Sequence, residues 1–277
     1  MEIIIGKNAG FCYGVKRAVE GTEKELEKSK EIYCLGELVH NKDVIKKLEE
    51  KGLVTINNIE SAKGSCIIRA HGEPSRTYKK AKELNINLID LTCPNVLKNH
   101  RLVHEYHENG YYILLLGTKS HPENIGTISY CKGDGECVDL DELDNAINKI
   151  KKQNIEKIFV LAQTTYSVSK FHECSKIIEE KLAGKEIKIM NTICNATEIR
   201  QKETEELSKK VDCMIIVGGK NSSNTKKLFD ISKVNCPNTI LVENVEEVNF
   251  KELEKCNKVG IMAGASTPSF SYEIKKD

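Results

Sequence analysis

Short apolar runs alternate with amphipathic stretches along the whole chain. Ile3-Ile4-Ile5, Glu31–Gly36, Cys66–Ala70, Asn87–Asp90, Tyr111–Gly117, Ile158–Ala162, Ile187–Met190, Cys213–Gly218 and Val259–Ala263 have the length and β-branched content of buried strands. Between them apolar residues recur at helical spacing, as at Val15, Ala18, Val19, Thr22 and Leu26. Strands that alternate with helices predict an α/β fold whose mainly parallel sheets are covered by helices. In such sheets ligands bind beyond the carboxyl ends of the strands.

The pattern repeats. Cys12, Cys93 and Cys194 each stand where an apolar run gives way to a helix, and His40, His121 and Ser222 each follow their cysteine by 28 residues. A later strand ends at an alanine in each copy: Ala70, Ala162 and Ala263, at 58, 69 and 69 residues from the cysteine. The expected organisation is three small α/β units around a pseudo-threefold axis, covering 13–92, 93–193 and 194–277. The N-terminal strand within 1–12 is expected to complete the third unit. Six polar loops and three cysteines would then converge on one central cavity. The loop Cys131–Cys137 reads as a surface turn.

Composition narrows the function. The 277 residues carry 42 basic and 41 acidic side chains, net +1, so no whole-chain field points to nucleic acid or a membrane surface. No apolar run approaches a membrane span, and the N-terminus leads directly into a strand, so a cytoplasmic setting is expected. Eleven cysteines without a C-x-x-C pair argue against a disulfide framework, a zinc ribbon or a thioredoxin-type site.

A cysteine at a helix start meets unpaired backbone N–H groups and the positive end of the helix dipole, which favours thiolate. Three such thiolates suit a cubane iron–sulfur cluster with one iron left open, since the full set is four cysteines. A three-cysteine zinc site with an open position is the other metal reading, and ordinary burial the bland one. His40, His71, His121, Thr164, Ser222, Ser223, Asn224 and Ser266 are short polar donors at strand ends. They suit a small anion such as a diphosphate, although Ser222 and Ser266 also read as helix caps. Glu123 is the one carboxylate in this group, either a proton source or a first-turn glutamate facing the helix dipole.

The segments Ala9–Val15, Gly36–Asn41, Arg69–Gly72, Thr92–Pro94, Ser120–Glu123, Ala162–Thr165 and Gly264–Pro268 closely resemble the 4-hydroxy-3-methylbut-2-enyl diphosphate reductase (IspH/LytB) family, over essentially the whole chain. The resemblance implies a [4Fe–4S] cluster on Cys12, Cys93 and Cys194, whose open iron takes the substrate hydroxyl. It implies that His40, His71, His121, Ser222, Asn224 and Ser266 hold the diphosphate with Ser223 alongside, that Thr164 lies near the hydroxyl, and that Glu123 supplies the proton. Electrons would come singly from ferredoxin or flavodoxin. An iron–sulfur hydro-lyase and an iron–sulfur sensor are the alternatives. After Pro268 the chain departs from the family, ending Ser269-Phe270-Ser271-Tyr272-Glu273-Ile274-Lys275-Lys276-Asp277 in place of a longer amphipathic helix.

Overall fold

A computed structural model describes residues 1–253 and 255–272. In chain order the elements are β1 (Glu2–Ile5), α1 (Tyr13–Leu26), β2 (Ile32–Leu35), α2 (Lys42–Glu49), β3 (Leu53–Ile56), β4 (Ser65–Ile68), α3 (Ser75–Glu83) and β5 (Asn87–Asp90). There follow α4 (Pro94–Glu108), β6 (Tyr112–Leu116), α5 (Pro122–Ile128), β7 (Gly135–Val138), α6 (Leu143–Lys152), β8 (Lys157–Ala162), α7 (Val168–Lys181) and β9 (Glu186–Ile189). The last are α8 (Asn195–Ser208), β10 (Cys213–Val217), α9 (Ser223–Asn235), β11 (Thr239–Val242) and β12 (Lys258–Ala263). No helix among the described residues is long and apolar enough to cross a membrane.

The strands form three four-stranded sheets, with orders β3-β2-β4-β5, β7-β6-β8-β9 and β11-β10-β12-β1. The strand pairs β1–β12, β12–β10, β10–β11, β2–β4, β4–β5, β7–β6, β6–β8 and β8–β9 are all parallel. The three orders are one order: edge, first central strand, second central strand, opposite edge. The central strands are apolar on both faces because helices cover both, and every residue of β6 and β10 is buried.

The chain forms two compact units. One comprises Met1–Lys30, Glu37–Leu53 and Asn195–Asp277 and contains the sheet β11-β10-β12-β1. Its core gathers Cys213, Ile215, Val217, Val259, Ile261 and Ala263 on one face of the sheet, and Met214, Ile216, Leu228 and Met262 on the other. The second comprises Glu31–Gly36 and Val54–Cys194 and contains the other two sheets. There Leu114, Leu116, Val160 and Ala162 pack on α6 and α7, while Ile113, Leu115, Phe159 and Leu161 pack beneath α4.

Three sequence expectations change. The edge strands β3, β7 and β11 were not foreseen, and one of them, β7, overlaps the expected surface turn, where Cys131 and Cys137 are buried. The equivalence of the three alanines is also displaced. Ile68, Ala162 and Ala263 pair with Leu35, Leu116 and Val217, so Ala70 corresponds to Thr164 and Ala265, two residues beyond the strand. At the C-terminus, Ser269–Ser271 form a short 3-10 turn, and Tyr272 Oη donates to the Ala9 carbonyl at 3.1 Å. Residues 273–277 of this divergent C-terminal segment lie outside the described residues.

Candidate active site

The corrected register shows how each cysteine is held. The backbone N–H of Cys93 donates to Ala70, that of Cys194 to Thr164 and that of Cys12 to Ala265, each at 3.0 Å. All three bonds start from the same place in the repeat, so each cysteine is tied to the loop that follows its neighbouring strand. Cys12 is the N-cap of α1, where its Sγ accepts from Val15 N at 3.5 Å. Cys93 is the N-cap of α4 with Pro94 at the first helical position, and Cys194 precedes α8.

Exposure separates these three thiols from the rest. Cys12, Cys93 and Cys194 are half-buried, whereas the other eight cysteines are buried, and all eleven are free. Burial pushes the thiols of Cys34, Cys137 and Cys213 up to about 12 and those of Cys66 and Cys174 to about 11. Those are inert core residues, and the three at helix starts are the ones open to a ligand.

In the unit 31–36 and 54–194, the candidate site residues are Cys93, Cys194, His71, His121, Glu123 and Thr164. His121 is the N-cap of α5, with Pro122 next, and its Nδ1 accepts from Glu123 N at 3.2 Å. An accepting Nδ1 assigns the proton of the neutral ring to Nε2. The His71 and His121 rings meet edge-on, 5.5 Å between centroids. Glu123 is only 3% exposed. Its carboxylate accepts twice from one residue, from Thr164 N at 2.6 Å and from Thr164 Oγ1 at 2.8 Å. Burial raises its pKa to about 7, against the lowering effect of those two bonds. The Thr164 carbonyl is the acceptor for Cys194 N, so carboxylate, threonine and cysteine form one continuous set of contacts.

The unit 1–30, 37–53 and 195–277 carries Cys12, His40, Ser222, Ser223, Asn224 and Ser266. Ser222 is the N-cap of α9 and accepts from Thr225 N at 3.3 Å, so it caps as well as lining the loop. In the first repeat Asn41, not His40, caps the equivalent helix α2, one residue later. Ser266 Oγ donates to the His40 carbonyl at 3.2 Å. Ser223 is half-buried at the head of α9. Asn224 is 3% exposed, and neither its Oδ1 nor its Nδ2 has a partner among the described residues. A buried amide with both ends unsatisfied is rare in folded proteins and marks a place where a polar ligand belongs.

Two supporting residues escaped the sequence reading. Asn99, 1% exposed on α4, donates to the Ala162 carbonyl at 3.1 Å. Arg200, 4% exposed on α8, donates at 2.9 Å to the carbonyls of both Asn8 and Gly10. Both follow their cysteine by six residues, where the first repeat has Ala18, so their shared register was the available signal.

The family model described as LytB protein matches residues 3–274. A protein of Clostridioides difficile named 4-hydroxy-3-methylbut-2-enyl diphosphate reductase is 42% identical, over 99% of this chain and 97% of its own. The protein of that name in Aquifex aeolicus is 40% identical over 100% of this chain and 95% of its own. The solved structure of the E-1-hydroxy-2-methyl-but-2-enyl-4-diphosphate reductase from Plasmodium falciparum superposes with a TM-score of 0.90 at 32% identity, covering 98% of this chain and 85% of that one. A second reductase, described as the terminal enzyme of the non-mevalonate pathway, gives 0.70 at 39% identity, covering 98% and 96%. This chain belongs to the LytB protein family.

Proposed function

We propose that the chain is an iron–sulfur oxidoreductase that converts 4-hydroxy-3-methylbut-2-enyl diphosphate into isopentenyl and dimethylallyl diphosphates, closing the non-mevalonate isoprenoid pathway. Full-length similarity to proteins so named supports the substrate. The observation that carries the chemistry is Glu123, a buried carboxyl whose pKa of about 7 lets it hold a proton at neutral pH and release it.

The residues present fit a [4Fe–4S] cluster. Three half-buried cysteines at equivalent helix starts stand apart from eight buried ones, and Cys12, Cys93 and Cys194 would hold the cluster with one iron lacking a protein ligand. When bound, such a cluster supplies single electrons and a Lewis-acidic site. Ferredoxin or flavodoxin would deliver those electrons, in a cytoplasmic setting.

The chain's own groups do the binding and the proton chemistry. His40, His71, His121, Ser222, Ser223, Asn224 and Ser266 hold the diphosphate. The unsatisfied Asn224 amide and the Nε2–H of His121 supply donors, and the start of α9 supplies the helix dipole. Thr164 lies beside the leaving hydroxyl. When Glu123 Oε2 carries the proton, Thr164 Oγ1 accepts from it and is free to donate its own hydrogen onward, so one proton moves from carboxyl to substrate oxygen. Loss of the hydroxyl as water consumes two electrons and two protons in all.

The test is anaerobic determination of iron and acid-labile sulfide, followed by dithionite-driven turnover through a viologen mediator. About four irons and four sulfides per chain, with electron-dependent loss of the hydroxyl, are expected. Zinc in place of iron, or a full cluster without turnover, overturns the reading.

A further inference from the structure

Glu123 and Thr164 belong to two dipeptides that meet residue for residue. Beside the Glu123–Thr164 contact, Asn124 Nδ2 donates to Gln163 Oε1 at 2.9 Å and to the Thr118 carbonyl at 2.9 Å. The same Gln163 oxygen accepts from Thr118 N at 3.2 Å, and Gln163 Nε2 donates to Thr165 Oγ1 at 3.0 Å. Both neighbours of Asn124 Nδ2 are acceptors, which assigns the orientation of that amide. Asn124 is fully buried and Gln163 is 1% exposed. The pair closes over Gly117, where a Cβ would lie 2.5 Å from Asn124 Nδ2 and 2.9 Å from Gln163 Cβ.

We propose that Asn124 and Gln163 are positioning residues that clamp the Thr164 loop onto the Glu123 carboxylate; the proposal rests on Glu123 as the proton donor. Each amide stands one residue from a member of the catalytic contact. A relative slip of about 1 Å at the amide pair would therefore stretch both bonds from Thr164 beyond hydrogen-bond length. The clamp works in a dry site, where an unmade bond is costly and a made one rigid. Cys137 on β7 is an uncharged thiol, and His121 is bound at Nδ1 to the Glu123 backbone. The orientation of the carboxyl therefore depends on Thr164, and through it on the amide pair.

The test compares Asn124→Leu, Gln163→Met and the double variant with Glu123→Gln, all cluster-loaded and checked for folding by circular dichroism. Each clamp variant should lower kcat about tenfold or more with KM within about threefold, as expected of misplaced rather than missing catalytic groups. The alkaline limb of kcat should move to higher pH, because the carboxylate loses the donors that favour it. The double variant should be no worse than the weaker single, since the pair acts as one unit. An unmoved or lowered limb, or losses that multiply, overturns the clamp. If Asn124→Leu does not fold, Gln163→Met alone carries the same comparison. Normal turnover by Glu123→Gln would instead sink the proton-donor reading. The clamp is then judged on the cluster-free protein, where the pH window of Glu123-linked stability must still move upward in the clamp variants.

Discussion

Glu123 keeps its proton to higher pH in the folded chain than in the unfolded one, from the ordinary 4.5 to about 7, because burial disfavours the carboxylate. Between those values the folded state binds more protons, so stability is fullest below pH 4.5 and declines as pH rises through 7. At ~1.4 kcal/mol per pH unit, the decline attributable to this one group is on the order of 3 kcal/mol. Glu123→Gln should abolish it. The amide oxygen can accept from Thr164 N, and the amide nitrogen can donate to a reversed Thr164 hydroxyl, so the shape and both bonds survive. Melting of the cluster-free protein at a series of pH values checks this: the variant should lose most of the wild-type fall between pH 5 and 8. A parallel fall in both proteins would show that Glu123 does not titrate in that window. The same substitution should abolish most turnover while leaving iron content unchanged.

At the scale of elements, the recurring device is a helix start tied to a neighbouring loop, and the first repeat uses an arginine from elsewhere to secure it. Gly10, at φ +94°, adopts a left-handed conformation, and a Cβ there would lie 2.4 Å from Tyr272 Oη. Its carbonyl and that of Asn8 are both held by Arg200, so the loop leading into Cys12 depends on α8. Arg200→Met keeps the buried stem and removes the donors. It should cost about 2–4 kcal/mol, since two carbonyls lose charge-assisted bonds. Reconstituted iron per chain should fall well below wild type, because Cys12 is no longer fixed; unchanged iron would detach the loop from cluster assembly. These props were hard to read from the sequence, because a buried polar residue on a helix looks like any other until its partner is known. The cysteines were legible because each stands between an apolar run and a helix start. The edge strands were not: Gly135-Glu136-Cys137-Val138 carries too little apolar pattern, and Leu53-Val54-Thr55-Ile56 lies within a run of loop residues.

At the scale of the whole molecule, the three sheets share one strand order, and this identity explains both what the repeat revealed and what it left out. In the first two sheets the far edge is the strand that leads into the next cysteine, β5 before Cys93 and β9 before Cys194. In the third, that place belongs to β1, which leads into Cys12 and pairs from Glu2↔Lys258 to Ile5↔Ile261. The cyclic order follows from the repeat, while the two-residue offset of Ala70 depends on loop lengths that no periodicity records. A consequence is that the third sheet cannot finish until both ends of the chain exist. Its central strand β12 is buried from Val259 to Ala263, so without β1 it would become a bare apolar edge, the feature natural sheets avoid. Removal of residues 2–5 should therefore leave a protein that refolds from urea in poor yield, aggregates with rising concentration and fails to hold iron. The sheets β3-β2-β4-β5 and β7-β6-β8-β9, complete without β1, should still protect their amides from exchange. Uniform loss of protection across all three sheets would mean that the molecule folds as a single cooperative body. Normal yield and iron content would mean that β1 is dispensable and that Cys12 is positioned without it.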